Sequence, residues 1–279
     1  MRITALATTF LLALGLATAL PAAPAQAGEP RFLVLCYPGG NVKTRDAEPS
    51  AKSMIELVEK LGGWPAGTFS SRFTSKVSEC DAWMGEKPPF AIVSLGWWLA
   101  HAGDGLVPLV QPKIKGATDE VFRVMVRKGT YKSLDDLRGK TVTGTPLVEP
   151  DFLMKVVFGG RFKASDFVLE PSNQALRALR SLNDREVEAV VVTAQQFQSM
   201  GALPFANLLE PVFTSQPIPL MGVVANEKTT TPEERRRFQK ALTSFCGHKD
   251  GRQFCELFGI DAFVPANAST YDAVKALWK

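Results

Sequence analysis

Apolar positions along this chain fall into short runs of strand length, each followed by a segment of helical spacing, and this alternation predicts an α/β protein. Arg31 to Tyr37, RFLVLCY, is a continuous apolar run that stops at Pro38-Gly39-Gly40-Asn41, as a buried parallel strand does. Met54, Leu57, Val58 and Leu61 then recur at helical spacing over about Ser50 to Leu61, before a Gly62-Gly63 stop. A strand near Thr68 to Phe73, a helix around Val77 to Met84 and the apolar strand Phe90 to Leu95 give the first third a βαβαβ order.

Val121 to Pro146, VFRVMVRKGTYKSLDDLRGKTVTGTP, reads as strand, capped helix, strand and a turn rich in hydroxyls. Val121, Val124 and Val126 are β-branched strand positions, and Ser133 followed three residues on by Asp136 resembles a capping box. Gly139 ends that helix, Lys140 to Thr143 form the next strand, and Thr143-Gly144-Thr145-Pro146 brings two hydroxyls to its carboxyl end. Ligands gather at that end in open α/β sheets. Ser94-Leu95-Gly96-Trp97-Trp98 does the same after the third strand. Neighbouring side chains at a helix start point in different directions, so one of Trp97 and Trp98 is expected to line a cleft.

Leu106 to Lys115, with Pro108 and Pro112, predicts an extended segment leading to a second body. There a helix near Phe152 to Phe158, a strand at Phe167 to Leu169, a helix from Asn173 to Leu182 and the β-branched Val187 to Thr193 continue the alternation. A proline-punctuated run from Pro217 to Val224 crosses back, and Thr231-Pro232-Glu233-Glu234 opens a helix with N-cap, N1 proline and capping-box Glu in order. Helices near Gly251 to Phe258 and Ser269 to Trp278 finish the chain. Two α/β lobes joined by two extended crossings leave a cleft, faced by carboxyl strand ends and helix amino termini and closed by hinge motion.

The first residues change the picture of compartment. Arg2, an apolar run through Leu20 and the small-residue site Ala25-Gln26-Ala27 predict a cleaved secretory signal peptide over residues 1–27. No Cys follows the site, and no later segment has about 18 or more consecutive apolar residues, so an exported, soluble periplasmic protein is expected. Removing the first 27 of 279 residues leaves 252. The division expected is 28–128 for the first part of lobe 1, 129–216 for lobe 2, and 217–279 for the return crossing and the rest of lobe 1. With 32 Lys and Arg against 28 Asp and Glu, the formal charge of +4 drops to +3 once Arg2 is lost, too small a bias to imply nucleic acid.

Four cysteines in an exported chain predict disulfides. Cys246 and Cys255 lie nine apart across Gly247 and Gly251, which suits a bridge from one helix end to the next; Cys36 and Cys80 then pair by elimination. There is no C-x-x-C, and His101 and His248 lack ligand-spaced partners, so neither a metal nor another cofactor is expected.

With these elements laid out, the chain resembles the phosphate, phosphite and phosphonate substrate-binding proteins of ABC transporters, of the type 2 periplasmic binding protein fold. The resemblance spans about Arg31 to Cys246. It lies in PFAIVSLGWWLAHA (Pro89 to Ala102), LVPLVQP (Leu106 to Pro112), FRVMVRKGTYKSLDDLRGKTVTGTP, SNQALRALRSLNDREVEAVVV (Ser172 to Val192) and SQPIPLMGVVANE (Ser215 to Glu227). It implies a monomeric receptor that closes on a small anion and hands it to a membrane permease. It also implies ligand roles for Ser94, for Thr143 and Thr145, and for Ser172 with Asn173; Thr193 ends the following strand, and Tyr37 is a lip residue. Helix amino termini with hydroxyls hold oxyanions through backbone N–H groups without a charged side chain.

The chain departs from the family where Ser172-Asn173 replaces Ser-His, where Thr193 stands in place of an acidic strand end, and where Trp97 or Trp98 replaces tyrosine. These departures imply a neutral, aromatic-walled pocket and disfavour an aminoalkyl ligand. Two other classes compete: an occupancy sensor for a membrane signalling protein, which needs the same closing lobes, and an enzyme on the same fold. The chain has no G-x-S-x-G elbow and no Ser, His and Asp set around its two histidines, so it is not expected to be an enzyme.

Overall fold

A computed structural model describes residues 31–38 and 44–279. The expected signal peptide, and the Gly39-Gly40-Asn41 part of the first turn, lie outside the described residues. The strands in chain order are β1 (Arg31–Cys36), β2 (Phe69–Thr74), β3 (Phe90–Ile92), β4 (Leu106–Lys113), β5 (Asp119–Glu120), β6 (Arg123–Arg127) and β7 (Thr141–Gly144). They continue with β8 (Val168–Pro171), β9 (Ala189–Val192), β10 (Leu209–Thr214), β11 (Ile218–Pro219), β12 (Val223–Asn226) and β13 (Ala262–Pro265).

The helices are α1 (Thr44–Gly62), α2 (Val77–Gly85), α3 (Leu95–Ala100), α4 (Pro150–Phe152, continued by a π-turn Leu153–Val157) and α5 (Ala175–Asn183). After them come α6 (Ala194–Met200), α7 (Pro232–Phe245), α8 (Lys249–Phe258) and α9 (Asp272–Trp278).

Two sheets organise these elements. The first has the order β13-β4-β12-β3-β1-β2, the second β10-β6-β9-β7-β8, and β5 pairs with β11 in a ribbon of its own. Strand β1 runs parallel to both β2 and β3, with α1 and α2 as the crossovers, so α1 must bury an apolar face; Met54, Ile55, Leu57 and Val58 supply it. Strand β7 likewise runs parallel to β8 and β9, and β9 reads Ala-Val-Val-Val, buried at every position. Such a strand is covered on both faces.

The outward crossing between lobes lies beyond the segment expected for it. Leu106–Lys113 is an interior strand of the first sheet, not a connector, and it is irregular at its first proline: Val223 of β12 pairs with Val110 and Val224 with Pro108, which leaves Leu109 as an extra residue of β4. A proline has no N–H to give to a ladder, and a bulge is where a strand can spare one. The crossings are Asp119–Glu120 and Ile218–Pro219, paired antiparallel as Glu120 with Ile218 and Asp119 with Pro219.

The helix expected at Ser133 shrinks to a single 3-10 turn, Asp135–Leu137. Asp136 accepts from the Lys132 and Ser133 N–H groups at 2.9 and 3.0 Å, the returning half of a capping box, but Gly139 turns the chain at a φ of 70° before a second turn forms. Cys36 is bonded to Cys80 and Cys246 to Cys255. Buried apolar packing runs from the first lobe into the second: Val34, Val93 and Trp98 belong to one cluster with Phe152, Val142 and Val191.

Candidate functional site

Four strand ends converge on one cavity. Tyr37 follows β1, Ser94 follows β3, Thr145 follows β7 and Thr193 follows β9, and all four line a space of about 420 Å³ between the lobes. Asn173, beyond the end of β8, lines it too, and Glu120, Ile218 and Pro219 of the paired crossings form part of its wall. A volume of this order suits a small solute.

Each of these residues is placed by local chemistry. Ser94 is the N-cap of α3: its Oγ accepts from the Trp97 N–H at 3.1 Å and donates to Glu149 Oε1 at 2.6 Å. Thr193 caps α6 in a full capping box with Gln196, a Thr-x-x-Gln pattern that the sequence displays. The Gln196 side chain also donates through Nε2 to Thr145 Oγ1 at 2.9 Å, tying the end of β9 to the end of β7. Tyr37 is 57% exposed at the rim.

Gly144 is required by close approach. Its φ is 141°, and a Cβ there would lie 2.3 Å from the Val191 carbonyl oxygen. It therefore lets β7 end against β9 with Thr145 turned to the cavity.

Three of the expected residues lie elsewhere. Thr143 is buried on β7, one residue before the turn, and its hydroxyl donates to the Glu170 carbonyl at 2.6 Å; it locks β7 to β8 and is not part of the lining. Ser172 turns its hydroxyl to the Gln174 backbone, accepting from the amide at 3.2 Å, and also stays out of the lining. Trp97 is buried, its Nε1 donates to Asp81 Oδ1 at 2.7 Å and its ring stacks on His101 at 3.9 Å, all on the far side of α3 from the cavity. Trp98 is buried as well and donates to the Leu106 carbonyl.

The lining is not neutral, because two carboxyls that the sequence did not single out enter it. Glu120 Oε1 accepts from the Val121 and Ala194 N–H groups at 2.8 and 2.7 Å. Burial pushes its carboxyl above the ordinary glutamate range, and the Ala194 and Val121 amides and the Arg123 charge pull it back only in part. Glu149 precedes α4 in the second lobe and reaches α3 in the first. Burial raises its pKa too, against the opposing Ser94 hydroxyl and Trp97 amide. Gly96 makes room for it: a Cβ there would stand 2.8 Å from Glu149 Oε1 and 2.8 Å from the Phe152 Cβ. Among the described residues no three His, Cys, Asp or Glu side chains group as a metal site, and no helix is long and apolar enough to cross a membrane.

A family described as ABC transporter, phosphonate, periplasmic substrate-binding protein matches residues 91–271. Among solved structures, a Xanthomonas citri protein bound to ATP superposes with a TM-score of 0.68 at 13% identity, over 89% of this chain and 96% of that one. A binding protein component of a Pseudomonas aeruginosa ABC phosphonate transporter gives 0.67 at 11%, over 90% and 86%. PhnD1 of Prochlorococcus marinus in complex with methylphosphonate gives 0.62 at 12%, over 89% and 97%. At identities this low the superpositions show a shared fold alone. No curated protein sequence matches the chain.

Proposed function

The chain belongs to the periplasmic substrate-binding proteins of ABC phosphonate transporters, and we propose that its interlobe cavity binds a small solute for delivery to a membrane permease. The fold is the two-lobed type 2 binding-protein fold. One observation carries the reading: strand ends from both sheets meet at a single cavity whose wall includes the two paired crossings β5 and β11. A ligand there touches both lobes and the segment about which they turn, so its binding energy favours the closed arrangement.

The finer parts of the reading follow from it. The mature receptor begins after residue 27 and acts as a monomer in the periplasm, with lobe 2 formed by the chain between the crossings Asp119–Glu120 and Ile218–Pro219, β6 included, and lobe 1 by the chain on either side of them. Its ligand-contacting residues are Tyr37, Ser94, Thr145, Asn173 and Thr193, joined by Gln196, Glu120 and Glu149. The expected oxyanion, such as phosphate, phosphite or a phosphonate, is supported by the family and by the Thr145 and Thr193 hydroxyls; the two carboxyls oppose it.

Melting of the exported chain tests the receptor reading. The panel consists of phosphate, phosphite, methylphosphonate, sulfate, small carboxylates, small amines and a protein-free cell extract. A ligand at one hundred times its Kd stabilises the folded state by about 2.7 kcal/mol, a clear rise in Tm. No shift with any member, the extract included, overturns the reading.

A further inference from the structure

Two hydroxyls in the cavity wall receive hydrogen bonds from one residue. Thr145 Oγ1 accepts from Gln196 Nε2 at 2.9 Å, and Thr193 Oγ1 accepts from the Gln196 N–H at 3.2 Å. Both threonines line the cavity, and they follow β7 and β9, which run side by side. The neighbouring hydroxyls are used differently: Ser94 donates to Glu149 and Thr143 to the Glu170 carbonyl.

The direction of these bonds is fixed. A backbone N–H can only donate, so the Thr193 N–H, 3.1 Å from Gln196 Oε1, dictates which end of the carboxamide faces it. The amide nitrogen is thereby turned to Thr145, and an NH2 group also only donates. Thr145 must accept, and its one hydroxyl hydrogen is left to point away from Gln196. The Gln196 backbone N–H sets Thr193 in the same way. Each bond in such a chain polarises the next, which strengthens the last O–H as a donor.

Capping alone does not call for glutamine at this position. Glutamate closes the same box, as Glu234 does with Thr231 at the start of α7. A carboxylate at 196 would take the Thr145 hydrogen for itself and leave the cavity a lone pair. With Glu120 and Glu149 already in the wall, the direction of the Thr145 hydroxyl decides what an anionic oxygen meets there.

We propose that Gln196 is a positioning residue for an oxyanion: its carboxamide, locked by the α6 cap, makes the Thr145 hydroxyl donate into the cavity beside that of Thr193, so that both hydrogens reach one phosphate, phosphite or phosphonate group. The proposal rests on the receptor reading above. The greater part of the effect of Gln196 on affinity passes through the Thr145 hydroxyl.

Isothermal titration with methylphosphonate, phosphite and phosphate tests it, using the exported native chain, Gln196→Met, Gln196→Glu, Thr145→Ala and Gln196→Met combined with Thr145→Ala. At least one of the three oxyanions is expected to bind the native chain. Gln196→Met, similar in shape but without a donor, is expected to weaken that binding about tenfold, the scale of one hydrogen bond to a charged group, and only about twofold or less when Thr145 is already alanine. Gln196→Glu keeps the cap and is expected to melt like the native chain, yet to bind no more tightly than Gln196→Met. Equal losses from Gln196→Met with and without the Thr145 hydroxyl overturn the proposal. Native affinity in either single variant at 196 overturns it as well, and in Gln196→Glu would leave capping as the whole task of the residue. Silence of all three oxyanions with the native chain also overturns it, and a melting shift with the cell extract then still upholds the receptor reading.

Discussion

Glu149 and Glu120 are costly residues for their positions, and the cost depends on pH. A glutamate whose pKa is raised on folding contributes fully to stability below its unfolded value of about 4.3, and that contribution is lost as pH rises through the folded value. Burial raises both carboxyls here, so each weighs against the fold at neutral pH. Glu149→Gln keeps an oxygen to accept from Ser94 Oγ and sheds the charge. Its Tm is expected to match that of the native chain near pH 4 and to exceed it increasingly toward pH 8; a gap independent of pH would remove desolvation as the cause. Thr143 and Thr145, two residues apart, are expected to separate cleanly. Thr143→Val breaks a buried hydrogen bond to the Glu170 carbonyl and costs about 1 kcal/mol of stability without altering ligand affinity. Thr145→Ala leaves the melt nearly unchanged and weakens binding, and titration beside thermal melts reads both.

Among the elements, α3 is the most constrained. It has six residues, is capped by Ser94, and is crossed by Glu149 and Phe152 at the one position where it has no side chain. Gly96→Ala places a methyl against both, an overpacking expected to cost about 1–3 kcal/mol by denaturant titration. Removing the carboxyl as well, in Gly96→Ala with Glu149→Ala, is expected to recover part of that loss, while Phe152 keeps the rest. The disulfides act on other elements. Cys36–Cys80 closes 44 residues and links the end of β1 to α2, and Cys246–Cys255 closes nine and links the end of α7 to α8. By chain entropy the first is worth about 4 kcal/mol and the second about 3. Loss of the first pair to alanine is expected to lower Tm more, and equal drops would contradict the loop-length account.

At the scale of the whole molecule, the lobes are joined by paired two-residue strands and by the Ser94–Glu149 contact. The ribbon persists in any opening that turns about it, whereas the contact must break. Glu149→Ala is therefore expected to enlarge the radius of gyration of the unliganded chain in solution scattering, and a saturating ligand to reduce it. Identical profiles for the native chain and the variant would mean that Glu149 holds nothing closed.

Periodicity alone was enough for most of the secondary structure and for the choice of an α/β class. The alternation of buried strand and amphipathic helix is a local property, and Thr231-Pro232-Glu233-Glu234 caps α7 as its residues dictate. Local pattern was also enough to place Ser94, Thr145 and Thr193 at carboxyl strand ends, since a strand followed by a cap has one direction. It was not enough to tell a strand from a connector in Leu106–Lys113, because proline signals an edge or a turn unless a bulge absorbs it, and this one forms only on pairing with a strand more than a hundred residues away. Nor did it distinguish Thr143 from Thr145, whose hydroxyls differ only in what β8 and α6 bring to them. Glu149 was illegible for the same reason: it reads as a helix-start acid in its own segment, and only the docking of one lobe on the other sets it against Gly96 and Ser94. Charge in a cleft is a sum over distant residues, and that sum exists only once the chain has folded.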